Sequence, residues 1–121
     1  MDMPDSPKAS IKLRLRVSRG EEDAFGPGKA QLLESLLKTG SLNRTAAETK
    51  MSYMKALALV RSMNTHFREL LVIQSRGGKN GGGTQVTDAG RKVLEEYHAM
   101  RAASEAAALP GWRRLRRLVK A

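Results

Sequence analysis

Hydrophobic and polar positions alternate strictly near the N-terminus, between Ile11 and Val17. Apolar side chains occupy the odd positions, and Lys12, Arg14 and Arg16 occupy the even ones. A period of two residues predicts a half-buried β-strand with one solvated face. We expect the three cations on that face to keep an edge strand soluble rather than to form a binding site.

Helical periodicity follows a glycine-rich loop, which is expected over residues 18–28. Four leucines, at positions 32, 33, 36 and 37, form one apolar stripe and predict a first helix over residues 28–39. Gly40 is expected to end this helix, because glycine is the preferred residue just beyond a helix C-terminus.

Two serines predict the starts of the next two helices, Ser41 and Ser52, since serine is a preferred N-cap residue. The third helix is expected over residues 53–67, with Tyr53 on its inner side. Small side chains such as Ala46 suit the crossing of two helices. The polar residues on predicted outer positions of this region are Asn43, Arg44, Lys50, Lys55 and Arg61.

Two β-prone runs, residues 70–73 and 84–87, flank a segment with five glycines in residues 76–83. They predict a β-hairpin with a flexible basic tip. Thr87 is expected to cap a long fourth helix over residues 88–108. We expect Pro110 and Gly111 to break that helix.

Composition narrows the classes of protein. The 121 residues carry a net charge of +10 and include no Cys. Disulfides, cysteine-zinc sites and thiol catalysis are therefore excluded. A small basic chain of this kind most often binds a polyanion, usually nucleic acid. The residues suggest no catalytic constellation, metal site or cofactor, so we expect a protein that is not an enzyme.

The two middle helices, over residues 41–67, have the spacing of a helix-turn-helix. The alternative is an ordinary αα-hairpin in a helical core, but the cations on outer positions favour DNA binding. The glycine-rich segment lacks the Gly-Lys-Ser/Thr pattern of a P-loop, because Asn80 follows Lys79. A DNA-binding wing fits it better, in which Arg76, Gly77, Gly78 and Lys79 approach phosphates or the minor groove.

Several of these segments together resemble a known family, the molybdate-responsive ModE regulators, whose wider relatives are LysR-type winged helix-turn-helix domains. The similar segments are Gly40-Ser-Leu with Ala46, Met51-Ser-Tyr53, Leu71-Val72, Gly77-Gly-Lys-Asn-Gly-Gly-Gly83, and Val86-Thr87 with Gly90. The resemblance covers about residues 11–108 and is to the N-terminal DNA-binding domain of the family. Lys50 stands where the turn of the family often has Gly, and Lys55 is displaced by one position from the family's lysine.

The resemblance implies a fold and a mode of action. The fold is α+β: a winged helix-turn-helix with an N-terminal strand, a three-helix core, a glycine-rich hairpin wing and a long C-terminal helix. Residues 28–39 and 88–108 would form a homodimer, and a recognition helix over residues 52–64 would read a palindromic operator. Full-length members also carry a molybdate-binding region. The chain ends at Ala121, so we expect no such region and no small-molecule effector site.

The resulting hypothesis is a cytoplasmic, nucleoid-associated transcriptional regulator that binds double-stranded DNA and no membrane. Its predicted DNA-binding residues are Arg44, Ser52, Tyr53, Met54, Lys55, Arg61, Arg76, Gly77, Gly78 and Lys79. Two alternatives remain open: an architectural DNA-binding protein of low specificity, and a dimerisation partner that modulates a full-length regulator.

The ends of the chain are expected to be separate from this domain. Residues 1–10 predict a disordered leader. Residues 109–121 predict a short basic amphipathic tail, with Trp112, Leu115 and Leu118 on one side and arginines on the rest. Packing against the dimer, an extra phosphate contact and contact with an anionic lipid surface are three interpretations of this tail.

Overall fold

Four helices and two small antiparallel sheets form the computed structural model of the chain, which describes residues 7–75 and 83–120. In chain order the elements are β1 (Val17–Arg19), β2 (Glu22–Phe25), α1 (Pro27–Thr39), α2 (Leu42–Glu48), α3 (Tyr53–His66), β3 (Val72–Gln74), β4 (Thr84–Val86) and α4 (Asp88–Arg116). The predicted α+β class is confirmed, and the order of elements is compatible with a winged helix-turn-helix.

The N-terminal strand begins later than its sequence pattern predicts. The β1 strand starts only at Val17 and pairs with β2, so a hairpin occupies most of the predicted loop. Residues 11–16 pair with no described strand. They are held against a helix instead, because the Tyr97 hydroxyl donates to the carbonyl of Leu15 at 2.9 Å. Leu13 and Leu15 are half-buried, so the alternation reflects packing on a helix.

The turn between α1 and α2 confirms both predicted capping residues. Gly40 has a φ of 64°, which favours glycine, and its N–H donates to the carbonyl of Leu36 at 2.9 Å. The Ser41 hydroxyl accepts from the N–H of Arg44 at 3.2 Å. Behind the turn, the hydroxyls of Ser35 and Thr45 are hydrogen-bonded at 3.1 Å within the core.

The inner face of α3 is largely as predicted. Ala56, Val60 and Met63 are buried, and the Ser52 hydroxyl caps the helix by accepting from the N–H of Lys55 at 3.0 Å. Tyr53, which was expected on the inner side, is instead 41% exposed. As the first residue of α3, it lies beyond the helices that cover the rest of the inner face.

The core consists mainly of aliphatic side chains from α1, α3, α4 and the β3–β4 hairpin. Three aromatic rings fill the gap between β2, α4 and the end of α3. The ring centre of Phe25 lies 5.1 Å from that of Tyr97 and 6.1 Å from that of Phe67, both in edge-to-face geometry. The N-terminal hairpin is thereby fixed to the rest of the fold.

The β3–β4 hairpin is antiparallel, with Val72 opposite Val86 and Gln74 opposite Thr84. It packs closely on the start of α4 at Gly90. A Cβ atom at that position would lie 2.4 Å from the carbonyl oxygen of Leu71 and 2.7 Å from a methyl carbon of Val86. Only glycine fits there, which gives a physical reason for the glycine of the sequence pattern.

Helix α4 does not break at residues 109–111, and the prediction of a break there is wrong. It continues through Pro110 to Arg116, a length of 29 residues. Proline removes one N–H, so the carbonyl of Ala106 loses its helical donor. Ala106 is exposed, and water can supply that hydrogen bond, so the helix tolerates the proline here. The described part of the chain has no helix long and apolar enough to cross a lipid bilayer.

Candidate nucleic-acid interface

One face of α3 is turned away from the core. Met54, Ala58, Arg61 and Thr65 lie at intervals of four, three and four residues, which places them on one stripe of a helix. All four side chains are exposed, and Met54 has 68% of its surface free. We call these four residues the recognition stripe. Its only charged group is the guanidinium of Arg61.

The structure places six of the predicted DNA-binding residues at the surface. These residues are Arg44, Ser52, Tyr53, Met54, Lys55 and Arg61. Met54 and Arg61 belong to the recognition stripe, whereas Tyr53 and Lys55 lie on its two flanks. Arg44 is separate from these, in the first turn of α2. The other four predicted residues, Arg76, Gly77, Gly78 and Lys79, lie outside the described residues.

A cleft of about 430 Å³ lies between the start of α3 and the β3–β4 hairpin. We call it the hairpin-side cleft. The described residues that line it are all uncharged: Ser41, Leu42, Asn43, Tyr53, Gln74, Ser75, Gly83 and Thr84. They present hydroxyl and amide groups, which can donate to or accept from a polar ligand.

Hydrogen bonds to the backbone hold this side of α3 in place. The side chain of Asn64 accepts from the N–H groups of Leu71 and Val72 at 2.8 and 3.2 Å, and donates to the carbonyl of Val72 at 3.0 Å. The N–H of Thr84 donates to the carbonyl of Gly40 at 3.0 Å. The hairpin is therefore tied both to α3 and to the turn before α2.

A second cleft, of about 570 Å³, lies on the other flank of α3. We call it the N-terminal-side cleft. Four exposed cationic side chains line it: Arg14, Arg16, Lys50 and Lys55. Asp23 also lines the cleft, and its carboxylate lies 3.6 Å from the guanidinium of Arg16. This flank therefore has a positive potential, in contrast to the hairpin-side cleft, whose described lining residues are uncharged.

A buried lysine fixes the floor of the N-terminal-side cleft. Lys29 is only 7% exposed, and its ammonium group donates to the carbonyls of Asp23 and Ala24 and to the Ser62 hydroxyl, the last at 2.8 Å. Burial lowers the pKa of Lys29 because the charged form loses hydration. The nearby carboxylates of Asp23 and Glu22 oppose this effect in part.

The end of α3 is attached to the N-terminal hairpin by His66. Its side chain is 6% exposed, and Nε2 lies 2.8 Å from a carboxylate oxygen of Glu22. Arg19 adds a hydrogen bond of 3.3 Å to the carbonyl of Thr65. His66 is the last residue of α3, and its ring is enclosed.

Sequence reasoning missed the contribution of Arg14 and Arg16 to this surface. Their alternation indicated a shared face, but not that the face lies beside Lys50 and Lys55, 34 or more residues later in the chain. That proximity depends on how residues 11–16 cross α4 and approach α1. Within the described ranges, no group of three or more His, Asp or Glu side chains is placed to hold a metal ion.

Searches among known proteins find several relatives that match most of the chain. No protein-family model matches the chain. It is 39% identical over 77 residues to the "Molybdenum transport protein ModE" of Azotobacter vinelandii, a match that covers 64% of the chain and 28% of that protein.

Two further relatives give the same picture. The chain is 30% identical over 91 residues to the "DNA-binding transcriptional dual regulator ModE" of Escherichia coli K12, covering 74% of the chain and 34% of that protein. It is 36% identical over 78 residues to the "Molybdenum-pterin-binding protein MopB" of Rhodobacter capsulatus, covering 64% of the chain and 29% of that protein. The resemblance inferred from the sequence is confirmed: the chain is a homologue of the ModE family over most of its own length, and the matched part spans about a third of those relatives.

Proposed function

We propose that the chain binds double-stranded DNA in a sequence-specific manner and regulates transcription, with α3 as its recognition helix. The observation that carries this proposal is the recognition stripe: four side chains on one face of α3 that the core does not use. The major groove of B-DNA is about 12 Å wide and admits an α-helix, whose outer side chains then reach the base edges.

Each residue of the stripe suits a kind of contact with the bases. Arg61 can donate two parallel hydrogen bonds to guanine, and Thr65 can bond to any base edge. Met54 and Ala58 offer apolar contact to the methyl group of thymine. Ser52 and Tyr53 stand at the start of α3, where a recognition helix usually meets the bases first, and Lys55 follows them on the flank of the N-terminal-side cleft.

Contacts with the sugar-phosphate backbone would set the orientation of the protein on DNA. Arg44 is exposed in the first turn of α2, beside the hairpin-side cleft. Arg76, Gly77, Gly78 and Lys79 extend the proposal to the hairpin tip, as a wing on the backbone or minor groove. The relative from E. coli is named a DNA-binding regulator, and the net charge of +10 supports the same partner.

We further propose that the protein acts as a homodimer through α1 and α4. None of the described side chains from Met100 to Arg116 is buried, although they form the second half of a continuous helix. Apolar side chains are exposed on both helices, with Leu37 at 42% and Leu109 at 41%. Covering them with a second copy would remove apolar surface from water, at about 25 cal/mol for each Å².

Sedimentation of the purified protein tests the dimer. The wild-type chain is expected to sediment as a dimer at micromolar concentration. Leu109→Glu places a carboxylate on the exposed second half of α4, where the second copy would cover apolar surface, and is expected to shift the protein towards monomer. Circular dichroism of the variant checks that the helices persist. A wild-type monomer at all concentrations would contradict this part of the proposal.

Selection from random duplexes tests the DNA-binding function itself. We expect a palindromic site with an affinity about 10³-fold or more above that of scrambled DNA at physiological salt. Binding without enrichment, which collapses as salt rises, would support an architectural protein instead. Recovery of binding only on mixing with a full-length ModE-type regulator would support the role of a dimerisation partner. A cytoplasmic, nucleoid-associated location belongs to the proposed function.

A further inference from the structure

We propose that the N-terminal-side cleft is a second DNA-backbone contact, in which Arg14, Arg16, Lys50 and Lys55 bind the phosphates of one strand. This inference rests on the proposed function and extends it. It assigns a partner to residues that sequence analysis expected only to keep an edge strand soluble. That expectation fails in part because residues 11–16 form no edge strand.

The charge around the cleft points outward and is largely unneutralised. Arg14 and Arg16 come from the extended N-terminal segment, Lys50 from the turn between α2 and α3, and Lys55 from the first turn of α3. Asp23 contributes a carboxylate to the lining, whereas the ammonium of Lys29 is directed inward to its own partners. Four cations from three separate parts of the chain thus line one concave surface, which suits a row of phosphates.

The position of the cleft relative to α3 determines which strand it would meet. Lys55 and Asn64 are nine residues apart. Nine residues make about two and a half turns of an α-helix, so the two side chains lie on opposite sides of α3. Asn64 binds β3, so Lys55 lies on the flank opposite the hairpin. A helix in the major groove runs between two phosphate strands. The hairpin would therefore approach one strand, and the N-terminal-side cleft the other.

The backbone of Lys50 gives an independent sign that this cation has a use. Its φ is 58°, in the left-handed region that non-glycine residues enter only at a cost in free energy. The turn is fixed by two hydrogen bonds: the N–H of Met51 donates to the carbonyl of Ala46 at 2.9 Å, and that of Lys50 to Ala47 at 3.2 Å. A strained residue held by its surroundings often marks a functional position. Here the residue held in this conformation is a lysine that lines the cleft.

A pair of double variants with equal loss of charge provides the test. The first is Arg14→Gln with Arg16→Gln. The control is Lys8→Gln with Lys12→Gln, which removes two charges from the same segment at exposed positions that do not line the cleft. All four side chains are exposed, and the ion pair of Arg16 with Asp23 is a surface pair, so both variants should fold. Thermal unfolding confirms this before binding is measured.

The measurement is the affinity for the selected duplex at several salt concentrations. Each lost phosphate contact reduces the slope of log affinity against log salt by about 0.9. The Arg14/Arg16 variant is therefore expected to lose about two units of slope. The ratio of the wild-type affinity to the affinity of this variant should fall roughly tenfold as salt rises from about 50 to 200 mM. The control pair should retain most of the wild-type slope.

Hydroxyl-radical footprinting locates the effect on the DNA. In the Arg14/Arg16 variant, protection should weaken on the strand opposite the hairpin and persist unchanged elsewhere. Equal slopes and footprints for the variant and the control pair would overturn the inference, while the proposed function would stand on wild-type binding. If the wild-type protein binds no duplex DNA, both the inference and the proposed function fail.

Discussion

The two flanks of α3 are built in different ways. On the hairpin side, the amide of Asn64 ties α3 to backbone groups of the hairpin, and the described lining of the cleft is uncharged. On the N-terminal side, long cationic side chains form the wall around a floor held by the buried Lys29. The first flank is held in place by hydrogen bonds of ordinary length, whereas the second presents charged groups on flexible side chains.

Because of this difference, we expect the two flanks to contribute differently to DNA recognition. Hydroxyl and amide groups bind through directed hydrogen bonds, which depend on fit and only weakly on salt. Exposed cations attract phosphates over a Debye length of about 10 Å at 0.1 M salt, and salt weakens them. We therefore expect the described lining of the hairpin-side cleft to contribute geometry and the cations of the N-terminal-side cleft to contribute salt-dependent affinity, with the recognition stripe reading bases between them. The following predictions separate these contributions.

The largest effect is expected from Asn64→Ala, which removes the three hydrogen bonds between α3 and β3. Two N–H groups and one carbonyl would lose their partner, at a cost of about 3 kcal/mol in the free energy of unfolding. Urea denaturation measures this cost. Thr65→Ala, at the exposed next position, is the matched control and should change stability by less than about 0.5 kcal/mol. Equal effects of the two variants would show that Asn64 is not the anchor of the hairpin side.

On the opposite flank, Lys29→Met is expected to cost about 2 kcal/mol, because the Ser62 hydroxyl and two carbonyls lose a buried donor. Thermal or chemical unfolding at neutral pH measures it. Binding of DNA should weaken as well, since the floor of the N-terminal-side cleft is lost. A variant as stable as the wild-type protein would contradict the role of Lys29 as an anchor.

The pH dependence of this variant has a definite sign. Burial lowers the pKa of Lys29 in the folded protein below its ordinary value of 10.5. Between the folded and the unfolded pKa, the unfolded chain binds more protons, so the contribution of Lys29 to stability rises with pH. The difference in stability between wild type and Lys29→Met should therefore widen in alkaline solution. The other lysines are present in both proteins, so their titration contributes equally to the two free energies of unfolding and cancels in the difference.

A smaller effect, with opposite signs for stability and binding, is expected from Lys50→Gly. Glycine adopts the φ of 58° without strain, so the free energy of unfolding should rise by up to about 1 kcal/mol. Affinity for DNA should fall a few-fold, with about 0.9 less salt slope, because one phosphate contact is lost. A variant that gains stability and keeps its full affinity and slope would remove Lys50 from the DNA contact.

The smallest effects compare one residue from each flank. Tyr53→Phe removes a hydroxyl from the hairpin-side cleft and Lys55→Gln a charge from the N-terminal-side cleft. Both variants are expected to weaken the free energy of DNA binding by up to about 1 kcal/mol. Only the lysine variant should reduce the salt slope, by about 0.9. Equal slopes in the two variants would contradict the division between the flanks.

Local features of the fold were predictable from the sequence. The caps of α1, α2, α3 and α4 follow from Gly40, Ser41, Ser52 and Thr87, because each bonds to backbone only a few residues away. The outward positions of Arg44, Lys55 and Arg61 follow from helical periodicity, and the structure confirms that they are exposed.

Features that depend on distant contacts were not predictable. The alternation of residues 11–17 indicated a strand, but the carbonyl of Leu15 is bonded to Tyr97, 82 residues away, and most of the segment joins no sheet. Pro110 indicated a helix end, but exposure to solvent lets α4 continue. The N-terminal-side cleft also depends on distant contacts, since it needs Arg14 and Arg16 beside Lys50.

The most direct test of DNA recognition by α3 is the ratio of affinities for the selected and the scrambled duplex, measured for wild type and Arg61→Ala at one salt concentration. We predict a wild-type ratio of about 10³ or more. Loss of a bidentate contact to guanine should remove about 1–3 kcal/mol of discrimination. The ratio should therefore fall roughly 5- to 150-fold. A wild-type ratio near one, or the same high ratio in both proteins, would contradict the account.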